Sequence, residues 1–280
     1  MPLIQFVSPK GGVGRTTLCA NLGSALRALG YPVVLVDLDP QNALHVHFSL
    51  PAVEGRGLID RFDIAGEWRH LLLNPGDDSL GVLPFGAAST QRLRLFGECL
   101  GQPGWLVSRL RSLAATSNTL VLVDTPVTPM IADAPLTGGA DLTLVTLMAD
   151  AGSLAVLPQL EPAVDVSIGS AWRETIEEGR IAYLLNQVDS RSRLKREIAE
   201  LMLGRLSPVL GTIHRDESVA EALADQRPIM EQAPFSAAAR DIEEAAKAIA
   251  QRFPLYAGGA SHGEFNRSSA ALSVTPGERT

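Results

Sequence analysis

A chain of 280 residues suits one large domain or two small ones, and 46% hydrophobic with 20% charged residues excludes disorder as its default state. A formal net charge of -7 and a pI of about 5.3 weigh against sequence-independent DNA binding, which needs a broad cationic face to displace counterions. Two cysteines, Cys19 and Cys99, make no disulfide framework. The first strand is expected at Leu3, which leaves no place for a signal peptide before it. The longest apolar stretch, Leu142 to Val156, is interrupted by Asp150 and falls short of the ~20 residues that cross a bilayer. Together these features imply a cytoplasmic, reducing compartment.

In chain order, short β-branched runs alternate with helical patterns, which argues for parallel βαβ units. Strand Leu3–Val7 leads into a glycine-rich turn, and then Leu18, Leu22, Ala25, Leu26 and Leu29 recur at helical spacing. Gly30 is placed to close that helix as a left-handed cap. Further strands are expected at Val33–Leu38, Gly81–Leu83, Thr119–Asp124, Leu142–Leu147, Ile181–Asn186 and Val209–Ile213. Runs such as VVLVDL and TLVLVD do not alternate, as befits strands covered on both faces. Helices are expected around 103–115, 192–204, 217–224 and 236–252, whereas 50 to 80 carries scattered Gly, Asp and Pro and gives no periodic element. One domain is thus expected over 1–254. Residues 255–280, small and polar with no period, are expected to form a disordered tail.

The turn after the first strand carries the chemistry. Phosphates need several backbone N–H groups pointing inward, and only small residues let a backbone approach closely enough. Here LIQFV is followed by Ser8, Pro9, Lys10, Gly11, Gly12, Val13, Gly14, Arg15, Thr16 and Thr17, and then by an amphipathic helix, the context a P-loop requires. A chance glycine-rich turn is the competing account, and the next strand's ending in DLDPQ disfavours it. Thr16 occupies the position whose hydroxyl coordinates magnesium, and Thr17 can reach an α-phosphate. Arg15 stands where a P-loop lysine is usual, keeping the charge on a longer, planar fork. Binding is expected to survive that change, while turnover is expected to be slow.

These residues resemble the ParA/MinD family of deviant Walker A ATPases, whose loop reads KGGxGK[S/T]T. The match holds at Lys10, Gly11, Gly12, Gly14, Thr16 and Thr17, with Val13 at the variable position, and departs at Arg15. It extends over about residues 2 to 253. Asp37 and Asp39 fall on the family's switch carboxylates, Asp124 on its Walker B position, and Asn186 on the residue that reads the adenine edge. IHRDESVAEALADQRPI puts His214, Arg215 and Asp216 on the segment beside the base. A narrower likeness, carried by IHRDE-x-x-AE-x-LA, GEWR and GVLPFG, is to the BcsQ-like subgroup encoded with bacterial cellulose synthase. The resemblance implies a P-loop NTPase (SIMIBI-like) fold of α/β class: a doubly wound, mostly parallel sheet with helices on both faces. It implies ATP and Mg2+ as cofactors, with Thr16, Asp37 and Asp124 on the metal and Asp39 orienting the attacking water. Lys10 would reach the nucleotide of a second copy. The implied form is a cytoplasmic ATP-bound homodimer serving cellulose synthase components and meeting the inner membrane only through partners.

Each residue has a blander alternative. Asp37 and Asp39 could cap the turn after their strand, and Asn186 could be a turn residue. Asp189 resembles the acid of guanine readers, but no lysine completes an N-K-x-D pattern. Arg191, Arg193, Lys195 and Arg196 read foremost as a solvated face. His45 and His47 lack metal-ligand companions at useful spacing and read as loop residues. Other functions on the same scaffold are a DNA-partition ATPase, disfavoured by the acidic balance, and a membrane shuttle, disfavoured by the unamphipathic tail. An iron–sulfur reductase fails on cysteine supply. A scaffold that holds ATP and barely hydrolyses it is the non-enzymatic alternative.

Overall fold

The structure, a computed structural model, describes residues 1–51, 55–64, 66, 68–76, 78–114, 116–128, 133–160 and 170–255. Its strands are β1 (Leu3–Val7), β2 (Val33–Asp37), β3 (Leu80–Leu83), β4 (Leu120–Asp124), β5 (Leu142–Met148), β6 (Ile181–Val188) and β7 (Val209–His214). These are the expected seven, with ends shifted by at most two residues. They form one sheet in the order β3-β2-β4-β1-β5-β6-β7, with every pairing between them parallel.

The non-alternating strands are explained by two buried faces. Val33, Leu35, Leu120 and Leu122 face one apolar layer, while Val34, Val36, Val121 and Val123 face the other. The first layer is covered by α1 (Arg15–Ala28) and α10 (Ala237–Arg252). The second lies under α2 (Leu58–Arg61), α3 (Thr90–Leu100) and α4 (Trp105–Arg111), and it continues under α6 (Ser170–Glu177) and α7 (Arg193–Arg205). Ser236 caps α10, which lays Ala238, Ala239, Ile242, Ala245, Ala246 and Ile249 inward. Alanines there let the helix come close to the sheet.

Gly30 ends α1 as expected, at φ +92. Its N–H donates to the Arg27 carbonyl and that of Tyr31 to the Leu26 carbonyl, the paired bonds of a Schellman cap.

The segment 50–80 contributes α2 and a 3₁₀ turn, Trp68–Leu71. Phe62 and Trp68 from it stack edge-on with Phe96 and Trp105 respectively. Like α2, four further helices among the described residues were not expected: α3, α5 (Ala151–Ala155), α6 and α9 (Ile229–Gln232). The helix expected over 103–115 is the shorter α4. The remaining expected pair, α7 and α8 (Glu217–Ala224), sit where the patterns put them. The tail expected over 255–280 lies outside the described residues beyond Leu255.

Candidate functional site

Parallel strands deliver their carboxyl ends to one edge, and the sequence neighbours β1 and β2, and β4 and β5, lie on opposite sides of an intervening strand. Such a topological switch point is where open α/β sheets bind ligands. Every site residue foreseen in the sequence lies at this edge. Register puts Asp37 beside Asp124 and Met148 beside Asn186.

The loop from β1 enters α1 through Gly14 at φ +86, with no side-chain cap on that helix. Its first-turn amides therefore have no acceptor in a preceding turn, the arrangement that receives an anion. Gly14 is also needed for space: a Cβ there would lie 2.4 Å from Asn186 Nδ2. That amide donates to the Val13 carbonyl at 2.8 Å, tying β6 to the loop. Beside it opens a cavity of about 370 Å³, lined among others by Gly14, Thr17, Asn186, His214, Arg215 and Asp216. These residues, foreseen as base-binding, are thus brought together, and apolar Leu18, Ile213 and Ile242 supply faces on which a planar base can rest. Asp216 also caps α8 by accepting from the Ser218 amide.

The charged half of the site is organised around Arg15. Its side chain is 6% exposed and turns away from solvent. Nε donates to Asp124 Oδ1 at 2.7 Å, Nη1 to Ser8 Oγ at 2.9 Å and Nη2 to Asp39 Oδ2 at 3.0 Å. Thr16 Oγ1 donates to the other Asp124 oxygen at 2.5 Å. Asp37 is fully buried and accepts the amides of Asp39 and Leu44 at 2.9 and 3.0 Å. It does therefore close the turn after β2, beside whatever else it does. Burial, with the Asp124 charge next to it, pushes the Asp37 carboxyl up to about 8. Burial also raises Asp124, against the opposing pull of Arg15.

Hydroxyl and carboxylate oxygens are the hard donors magnesium prefers, and Thr16 keeps its lone pairs while donating to Asp124, so these residues fit the ion. Among the described residues no three His, Cys, Asp or Glu side chains form a metal cage. Phosphate oxygens and water would supply the remaining ligands.

Lys10 and the base segment have partners the sequence did not flag. Lys10 Nζ donates to Asp150 Oδ2 at 2.7 Å, and Asp150 caps α5 through the Ser153 amide. His214 binds Asp241 Oδ2 through both its amide and Nδ1, each at 2.9 Å. The only sequence signal for Asp150 was its place just past a strand end, before a small-residue helix start. Asp241 gave none. In the basic cluster, Arg191 and Arg193 pair with Asp189 and Glu197 on an exposed face.

His45 and His47 are buried in the 3₁₀ turn Leu44–Phe48 after the switch, against α1. Burial holds His47 down to about 4. Between there and 6.5 the unfolded chain binds a proton the folded chain refuses, so stability falls as pH falls through that window. The loss should reach about 2–3 kcal/mol near the lower end. His47→Leu is expected to remove this component, read as a smaller difference between urea midpoints at pH 7 and pH 4.5 than in the wild type.

A seven-stranded parallel sheet with a glycine-rich loop at its switch point, and Asp37, Asp39 and Asp124 gathered beside that loop, has the MinD/ParA P-loop ATPase fold. Solved structures agree: the cell-division ATPase MinD of Pyrococcus furiosus is similar at TM-score 0.68 and 23% identity, over 90% of this chain and 99% of that one. The septum site-determining protein MinD of Pyrococcus horikoshii, complexed with Mg-ADP, is similar at TM-score 0.67 and 21% identity, over 89% and 95%. The cellulose biosynthesis protein BcsQ of Salmonella typhi is 28% identical over 248 residues, 86% of this chain and 91% of that protein. The family model for cellulose biosynthesis protein BcsQ matches residues 1–249, and the chain belongs to that family.

Proposed function

We propose that this protein is a nucleotide-operated switch: it holds ATP with magnesium in its P-loop, pairs with a second copy across the nucleotide, and in that form supports the assembly, localisation or activity of a bacterial cellulose synthase complex. The observation that carries the reading is the convergence of Asp124 from β4 and Asn186 from β6 on the loop and first turn that carry Gly14 and Thr16. Membership of the BcsQ family supports the cellulose connection.

Gly11, Gly12, Val13, Gly14 and Thr17 would cradle phosphates with backbone and hydroxyl groups, and Asn186 with His214, Arg215 and Asp216 would border the base. Thr16 would ligate magnesium directly, with Asp124 and Asp37 acting through water. The bound ion would neutralise charge on the β- and γ-phosphates. Asp39, partly buried at the turn's mouth, would orient the attacking water. Lys10, paired with Asp150 within its own chain, would exchange that partner for the nucleotide of the second copy, making turnover depend on association. No helix of the described residues is long and apolar enough to cross a membrane. A cytoplasmic protein drawn to the inner membrane by partners fits this reading, and the net charge of -7 weighs against DNA as a ligand.

The test is calorimetry of the pure protein with ATP and magnesium, followed by sedimentation with and without nucleotide. Heat of binding and an ATP-dependent dimer are expected; no heat sinks the reading. Lys10→Ala is expected to weaken that dimer by about tenfold or more while leaving ATP binding to the monomer near wild type. Deleting the gene should lower cellulose output, measured by dye binding. One observation favours a second reading, ATP as a structural ligand with little hydrolysis: Arg15 is committed to carboxylates rather than pointed along the loop. Single-turnover hydrolysis on the dimer separates the two, and Asp39→Ala should abolish whatever turnover is found.

A further inference from the structure

We propose that Arg15 is an exchangeable internal cation: its guanidinium, held by Asp124 and Asp39, competes with a divalent ion for Asp124, so that magnesium can be bound only when Arg15 has swung out of the carboxylates. This rests on the reading of the loop as a magnesium–nucleotide site and deepens it by naming the residue that regulates metal entry.

The geometry is that of a cation site filled from within. Three of the five guanidinium N–H donors are used, on two carboxylates and one hydroxyl, at 2.7 to 3.0 Å in a buried setting. The oxygen of Asp124 left over by Thr16 is the one Arg15 holds. Asp37 is already engaged at both oxygens, each accepting a backbone amide, so it reaches an ion only through water. A dication placed beside an unmoved guanidinium would meet like charge at short range, in surroundings that screen it poorly. The same fork suits phosphate oxygens, so a nucleotide offers Arg15 an alternative partner on the solvent side.

Release would also be felt in the switch. Asp39 Oδ2 holds Arg15 while Oδ1 accepts the Gln41 amide, and Asn42, at φ +51, accepts from the Gly86 amide. Withdrawing Arg15 frees Asp39 from one side of this turn. Arg15 is thus a positioning residue that links metal entry to the loop after β2.

The experiment compares ADP affinity by calorimetry in EDTA and in excess Mg2+, for wild type, Arg15→Lys and Asp39→Asn. Lysine cannot span both carboxylates and Ser8, and Asp39→Asn weakens the internal hold while leaving Asp124 paired. The gain in affinity produced by Mg2+ is expected to rise about tenfold in each variant over wild type. The wild type gives a second measurement that needs no variant: the Arg15 Nε–H NMR signal, expected to exchange slowly because the group is buried and bonded to Asp124, should shift or lose protection when Mg-ADP saturates the protein. An equal Mg2+ gain in all three proteins, or an unmoved Arg15 signal at saturation, overturns the proposal and leaves the nucleotide reading standing. Failure of wild type to bind ADP in either buffer overturns both.

Discussion

Asp124→Ala is expected to lower the melting temperature by roughly 6–12 °C, the equivalent of about 3 kcal/mol in a domain of this size. Asp124 has no exposed surface, and its two oxygens satisfy Arg15 and Thr16. Truncation leaves a guanidinium that is 6% exposed with only Asp39 and Ser8, and removing one member of a buried pair strands the other's charge. Relief of the repulsion between Asp124 and Asp37 offsets part of this, which sets the figure at the lower end of the range for broken buried pairs. Asp124→Asn keeps the shape and one acceptor, so its loss should be smaller. Calorimetric scans of the three proteins check the order. A shift under about 2 °C for the alanine variant would mean that the pair holds nothing together.

Gly14→Ala is expected to weaken nucleotide binding about 100-fold with only modest loss of fold stability. At φ +86 an L-residue is strained by about 1–2 kcal/mol. The added Cβ would also stand 2.4 Å from Asn186 Nδ2, so the amide that ties β6 to the loop must move out of its bond to Val13. That displacement disturbs the wall of the base cavity itself. The strain and the clash are separable by a double-mutant cycle with Asn186→Ala. Titration of ADP with magnesium should show the double variant binding better than the two single losses sum to. Simple additivity would remove Asn186 from the account.

The strands and most of the site's identities could be read in the chain because their signals are local. Uninterrupted β-branched runs mark two-sided burial, and in a parallel sheet each run's carboxyl end lands on the same edge. Strand ends thus place Asp37, Asp124 and Asn186 on one edge, and the resemblance to the ParA/MinD family assigned them to one site, although 149 residues separate the first from the last. α3 escaped although it packs apolar side chains inward: Phe96 is its one buried residue, with Leu95, Cys99 and Leu100 only partly covered. α5 and α9, at five and four residues, are too short to show any period. The pairs Lys10–Asp150 and His214–Asp241 escaped because neither acid carries a motif and the partners, far apart in sequence, meet only once the chain is folded.

By itself, the sequence determined a β1–P-loop–α1 unit, its glycines and hydroxyls, and the acids that end β2 and β4, because glycines and small residues at fixed spacing after an apolar strand are local signals. Only the tertiary structure decided where Arg15 points. A long side chain with several donors takes whichever acceptors folding brings within reach, and here these are carboxylates 24 and 109 residues away.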